Sequence, residues 1–370
     1  MNLKRIVTSF DYILMGIVLA LFTLGLLAIA SATDVMNVGM TRQVQLQAFS
    51  FIFGLVLIGI LQFINYEVVG EFYWWLYGIA ILLLLIIFIP GVGVIRNGSR
   101  SWINLGIIDF QTSEISKIAY IIFLAKFAEK NGGMRSFKSV IKAGIALVPI
   151  LLLILKQPDL GSALVFVSAT FGILLASGMR YWQIGGGLLG VIGLTPLIYP
   201  HLEAHQRERI DAFLNPNDLT LPGNYHVMQS KITIGSGMMY GRGLFEGVYH
   251  RLNYLPVQES DFIFAVFVEE TGFVGGIVVI ALYLFFLLRM ISLSRRVKDE
   301  FGSNIIIGVI FMFAFQIIEN IAMTLGRMPV TGITLPFFSY GSTSIVSSML
   351  AIGIVESIYI RRKKGTFFNT

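Results

Sequence analysis

Segments long and apolar enough to cross a bilayer recur along almost the whole chain. They fall at 10–32, 47–66, 73–92, 112–129, 139–156, 162–179, 182–200, 262–290, 304–325 and 340–360. A helix needs about 20 such residues to span the hydrocarbon core, so these stretches predict an all-α polytopic membrane protein of about ten transmembrane helices. Composition agrees: 56% of residues are hydrophobic and only 13% charged, where a soluble domain carries about 25%, and the mean hydropathy is +0.79. The first run, from Tyr12 to Ala30, shows no small-residue cleavage site and reads as a retained helix. With no Cys in 370 residues, disulfides and thiolate metal sites are excluded.

A net charge of +6 would suit nucleic acid in a soluble chain. Here the bases sit in alternate short loops: Lys4 and Arg5, then Lys130, Arg135, Lys138 and Lys142, then Arg180, then Arg295, Arg296 and Lys298, and last Arg361 to Lys364. That spacing is the positive-inside pattern with both termini cytoplasmic, and it points to membrane lipids and away from nucleic acid. The 67–72 turn departs from it, with Glu67, Glu71 and no base. One long polar stretch, about 201–261, is left between the seventh and eighth helices on the extracytoplasmic side, and it holds all four His. A loop this long is usually functional, and the Gly-rich part from Asn224 to Gly243 reads as a re-entrant or interfacial segment. No internal repeat of the kind seen in many transporters is visible. The whole of 1–370 reads as a single transmembrane domain.

The polar residues that break the apolar runs carry the chemistry. Asp261 stands at the mouth of the eighth helix and reads either as its N-cap or as a carboxylate facing a site. Glu269 and Glu270 follow about 12 Å further down, where an intramembrane carboxylate needs a partner or a function; by helical phase at most one of them shares a cavity with Asp261. Glu114 and Lys117 lie three residues apart on one face of the fourth helix, which suits both a buried ion pair and a lysine held toward an anion. Arg100, within Gly98 to Gly106, offers a planar fork for phosphate or carboxylate. Gln157-Pro158-Asp159 reads as a turn followed by a helix start. The hydroxyl-rich loop from Met328 to Ser344, including Ser339 and Ser342, suits the lining of a polar site or simply buried irregular backbone. Arg207, Arg209, Lys231, Arg242 and Arg327 place cations on the outer face, against the usual bias. His201 and His205 are four apart but lack the Glu of the zinc-helix motif, and no third ligand accompanies them; no metal site is expected there.

Taken in order, these segments resemble the SEDS family of bacterial cell-wall polymerases, which comprises RodA, FtsW and SpoVE. The resemblance rests on Gly98 to Gly106, Ser113-Glu114-Ile115-Ser116-Lys117, Gln157 to Gly161, Gln229-Ser230 with Ile234 to Gly237, Asp261 to Ala265 with Glu269 to Phe273, and Pro329 to Ser344. It covers nearly the whole chain, and the stretches Tyr254 to Gln258 and Glu270 to Phe273 are most similar to the RodA branch. Val257, Thr112, Met238-Met239 and Thr343 depart from the usual pattern, where Glu, Pro, Gly-Leu and Gly or Ser are common.

The resemblance implies polymerisation of lipid II in rod-shape elongation at the plasma membrane. The 4-hydroxyl of one N-acetylglucosamine would attack the anomeric carbon of an N-acetylmuramic acid that leaves undecaprenyl diphosphate, with inversion and no covalent enzyme intermediate. By the same resemblance Asp261 would be the general base. Lys117 held by Glu114, with Arg100, Arg207, Arg209, Ser339 and Ser342, would bind the lipid-linked diphosphate. A divalent cation could share that task, although no ligand set specifies one. The implied partners are a class B penicillin-binding protein, whose transpeptidase cross-links the strands, and the rest of the elongation machinery. A lipid II flippase and a membrane scaffold remain the alternative classes.

Overall fold

The computed structural model describes residues 3–362 apart from 97–98, 105, 107–108, 202–203, 219, 249–251, 253–254 and 256. The chain is mostly helical, in the order α1 (Leu3–Ser9), α2 (Tyr12–Ala32), α3 (Val35–Val38), α4 (Arg42–Leu61), α5 (Tyr66–Glu71), α6 (Tyr73–Ile86), strands β1 (Gly93–Arg96), β2 (Ser99–Asn104) and β3 (Asp109–Gln111), then α7 (Thr112–Lys130), α8 (Phe137–Leu155), α9 (Leu160–Ala176), α10 (Tyr181–Ile198), α11 (Ala204–Leu214), α12 (Pro222–Ser236), α13 (Ile263–Ser294), α14 (Glu300–Thr324) and α15 (Ser342–Arg361). Each apolar run of the sequence coincides with one of these helices. Six of them, α2, α4, α8, α13, α14 and α15, are long and apolar enough to cross a membrane, and α6 and α9 are shorter apolar helices.

The middle of the bundle is α7, packed against α6, α9, α14 and α15 and buried along almost its whole length. Glu114, Lys117, Lys126 and Glu129 dilute its hydropathy, and every one of them is ion-paired. The 67–72 exception to the charge pattern has its explanation here. Glu71 meets Lys126 and Lys130 of α7 at 3.2 Å each, and those hydrogen bonds hold its carboxyl below the usual range. The bases missing from this turn come from another element.

One feature corrects the all-α expectation. Between α6 and α7 the chain forms a three-stranded antiparallel sheet in the order β1-β2-β3, with Trp102 opposite Gln111 and Asn104 opposite Asp109. The short period-2 pattern of Ser99 to Asn104 is masked in sequence by its Gly, Asn and Arg neighbours. The 201–261 stretch also has structure of its own, since α11 packs on α12 and α12 lies against α13 and α14.

The eighth apolar run is interrupted. Gly272, inside α13, has φ 70° and ψ −170°, a conformation essentially reserved for glycine. The loop after α12 docks into the break: Phe273 N donates to Met238 O at 2.8 Å, Arg242 N to Glu269 O at 3.1 Å and Gly243 N to Glu270 O at 3.0 Å. At the end of the bundle where α2 begins, Asp11 caps that helix by accepting from Leu14 N at 2.9 Å. It also takes Arg289 Nε at 3.0 Å, while its own amide donates to Glu356. These bonds tie α2, α13 and α15 together.

Candidate active site

At the opposite end of the bundle a cavity of about 800 Å³ opens among the start of α4, the β-sheet, the N-termini of α7, α9 and α15, α11, and the segments before α13 and after α14. Three helices therefore point their positive ends at it, a favourable setting for anions. The α9 terminus is capped by Asp159, which accepts from Ser162 N at 2.9 Å and Ser162 Oγ at 2.7 Å. The turn-and-start reading of Gln157 to Gly161 is thus realised at the cavity wall. Thr343, at the start of α15, donates to Asp109 O at 2.8 Å and fastens the sheet to that helix.

Asp261 lines this cavity. It does not cap α13: that position is Phe262, without a side-chain cap bond. Its backbone is fixed instead, since its carbonyl accepts from Asn320 Nδ2 at 3.0 Å. Ser260 Oγ donates to Asp261 Oδ1 at 2.7 Å, which leaves Oδ2 to face the cavity. Gly332, with φ +76°, passes so close that an added Cβ would stand 3.4 Å from Oδ2. Burial pushes the Asp261 carboxyl up from its ordinary range, against the pull of the Ser260 hydroxyl and the Arg209 charge. A carboxylate with one anchored oxygen, one open oxygen and a raised affinity for protons is equipped to take a proton from a hydroxyl.

Lys117 and Glu114 line the same cavity. Lys117 Nζ donates to Glu114 Oε1 at 2.7 Å, and Ser347 Oγ donates to Glu114 Oε2 at 2.6 Å. The ion pair is realised, and the same ammonium lines the cavity. Arg209 is the second cation in place, steered by its own donation from Nη1 to Thr331 O at 3.1 Å. Ser342 lines the cavity at the first turn of α15.

Three expected site residues lie elsewhere. Arg100 is exposed and does not line the cavity, whereas Ser99, Ser101, Trp102 and Asn104 of the same strand do. Arg207 is exposed on α11 and stands two residues from Arg209, a spacing that does not share a helix face. Ser339 is buried in structural work: its Oγ donates to Ser260 O at 2.6 Å and accepts from Leu335 N at 2.8 Å. Glu269 and Glu270 line no part of the cavity. Val248 N donates to Glu269 at 2.7 Å, Phe245 N donates to Glu270 at 3.1 Å, and Ser31 also bonds Glu270, so they hold the docked loop. Of the remaining outer cations, Lys231 lines a smaller cavity of about 280 Å³ that shares Arg209. The side chains of His201 and His205 lie outside the described residues.

Sequence reasoning missed Arg42, Glu259, Gln316 and Tyr340, all in the cavity wall, and Glu319, buried behind it with the Thr331 hydroxyl as partner. Arg42 opens α4 after a polar turn and looked like ordinary flanking charge. Gln316 and Glu319 did carry a signal, being polar residues three apart within a strongly apolar run. Among the described residues no three of His, Asp and Glu are grouped to hold a metal ion.

The family model of the cell cycle proteins FtsW, RodA and SpoVE matches residues 12–364. The stage V sporulation protein E of Bacillus subtilis is 36% identical over 364 residues, covering 95% of this chain and 97% of that protein. The peptidoglycan glycosyltransferase MrdB of Escherichia coli K12 is 34% identical over 357 residues, covering 95% and 94%. Among solved structures, a chain of a peptidoglycan synthase complex that coordinates polymerization and crosslinking superposes with a TM-score of 0.81 at 29% identity, covering 95% and 97%. The rod shape determining protein RodA of Thermus thermophilus gives 0.72 at 27%, covering 96% and 98%. With a family match over nearly its full length and relatives alike from end to end, this chain belongs to the SEDS family of FtsW, RodA and SpoVE.

Proposed function

We propose that this chain is a peptidoglycan glycosyltransferase that polymerises lipid II by direct, inverting displacement. The observation that carries the reading is the shared cavity, where the open Oδ2 of Asp261 and the cations Lys117 and Arg209 face one space. In that space the 4-hydroxyl of the acceptor N-acetylglucosamine gives its proton to Asp261. Its oxygen forms the bond to C1 of the donor N-acetylmuramic acid, and the C1–O bond to undecaprenyl diphosphate breaks. The electron pair leaves on the diphosphate, whose charge Lys117, Arg209 and the three helix N-termini stabilise. The α-linked donor becomes a β-1,4 strand. Arg42 and Ser342 complete the wall around the leaving group. A divalent cation arrives with the diphosphate, since the described residues supply no grouped ligand set; loss of activity in EDTA and its return with Mg or Mn checks this.

The chain sits in the bacterial plasma membrane with about ten spans, cytoplasmic termini and the cavity on the extracytoplasmic side, as its loop bases require. Its role is rod-shape elongation, tested by complementation of a rod-shape mutant against division and sporulation mutants. Its partner is a class B penicillin-binding protein, a reading supported by the similar chain from a synthase complex. The deciding experiment is polymerisation of labelled lipid II by wild type and Asp261→Ala, each with and without such a partner whose own glycosyltransferase is inactive. Polymer from wild type and none from the variant is expected. Equal polymer from both removes Asp261 from the chemistry, and none from either turns the reading toward lipid transport.

A further inference from the structure

The inner face of α14 carries Gln316, Glu319 and Asn320, spaced so that the three lie together. Two of them have protein partners. Asn320 Nδ2 donates to the carbonyls of Asp261 at 3.0 Å and Ile333 at 2.8 Å, and Glu319 accepts the Thr331 hydroxyl. Gln316 has none. Its side chain is 3% exposed, it lines the cavity, its Oε1 is buried without a hydrogen bond, and its Nε2 finds no partner among the described residues. A buried amide left unpaired lowers stability, and apolar side chains of the same size would fill the position without that cost.

A primary amide presents one acceptor and two donors at adjacent atoms. Diphosphate offers acceptors only. A secondary amide is trans, its N–H and C=O pointing in opposite directions, so an acetamido group meets the glutamine through one bond, its N–H donating to the orphaned Oε1 that a diphosphate cannot satisfy. Gln316 precedes Asn320 by four residues, about 6 Å along the helix axis, and Asn320 holds the backbone of Asp261. Gln316 therefore stands roughly one sugar ring away from the hydroxyl that Asp261 deprotonates. On the polymerase reading given above, we infer that Gln316 recognises the 2-acetamido group of the acceptor sugar and sets specificity for N-acetylated substrate.

The test uses the full-length purified protein, with its partner present, and the variant Gln316→Met, which keeps volume and removes both polar atoms. Lipid II is compared with an analogue that carries glucose in place of N-acetylglucosamine. The variant should lose about tenfold to a hundredfold in kcat/KM on lipid II and little on the analogue, so that discrimination between the two collapses. Its melting temperature should match or exceed that of wild type, because an unpaired buried amide has been removed. Gln316→Asn, which restores the amide on a shorter arm, should recover part of the discrimination. Equal discrimination in wild type and variant would overturn the inference, as would a lower melting temperature with parallel losses on both substrates. A wild type that makes no polymer from lipid II would overturn the polymerase reading and this inference with it.

Discussion

The buried Glu114–Lys117 pair allows stability and function to be separated in one set of variants. Both side chains are almost fully buried, and the Nζ–Oε1 distance is 2.7 Å. Among the described residues Glu114 is the only hydrogen-bond partner of the ammonium, whereas the carboxylate also accepts from Ser347 at 2.6 Å. Breaking such a pair from one side leaves an uncompensated buried charge and costs about 3–5 kcal/mol, while replacing both partners by neutral groups of similar size is close to neutral. Glu114→Gln strands the less supported member and should sit at the upper end; Lys117→Met leaves the carboxylate its serine and should sit at the lower end. The double variant should return to within about 1 kcal/mol of wild type, a coupling of several kcal/mol between the two sites. Unfolding of the four proteins in mixed micelles measures the cycle, and lipid II polymerisation is followed on the same preparations. All three variants should be inactive, the double variant included, because the cation that faces the cavity is lost or no longer held. Additive destabilisation in the double variant would refute the pairing argument. A stable double variant that polymerises at the wild-type rate would refute the role given to Lys117.

Asp261→Asn should lower polymerisation by about a hundredfold to ten-thousandfold without loss of fold. The Asp261 carboxyl is raised by burial, so its ionised form costs stability above the folded value, and that cost disappears below the unfolded one. The variant should therefore melt higher than wild type at neutral pH and equal to it in acid, while the acid limb of wild-type activity should fall above the ordinary Asp value of about 3.9. Arg209→Ala, which removes a charge-assisted contact worth about 1.5–3 kcal/mol, should cut kcat/KM at least tenfold, whereas Arg100→Ala should change it less than about threefold because Arg100 is exposed outside the cavity; the reverse ranking in the same assay would contradict the cavity. Gly272→Ala should abolish recovery of monodisperse protein, since its Cβ would fall 2.3 Å from Gly241 N in a backbone conformation only glycine adopts, and normal yield with an unchanged melting temperature would show that the α13 break is dispensable.

Elements governed by short-range rules were legible in the chain. Apolar runs become helices because a backbone in lipid must bond to itself within each segment. The partnership of Glu114 with Lys117 followed from a three-residue spacing, and Asp159 capped its helix as its turn implied. Where a residue's role depends on which way it faces, the sequence was less informative. Arg100 and Arg207 matched the chemistry of a phosphate site, yet in the fold both are exposed outside the cavity. Asp261 read equally as a cap, and only the segments from α11, α14 and the 331–333 loop, brought beside it from distant positions, left one of its oxygens open.

Glu269 and Glu270 make the same division plain. Two carboxylates deep in an apolar run announced that something polar must meet them, since hydrocarbon cannot. What meets them is the backbone of a loop some twenty residues earlier, docked into a helix broken at Gly272. The sequence by itself determined that this chain lives in a membrane, where its helices run, and which polar residues require a partner, because each of these follows from local composition and spacing in a given solvent. Tertiary structure alone decided which partner each one has and which few are left facing a common cavity, because those outcomes depend on contacts between segments hundreds of residues apart, and on the orientation of each side chain within them.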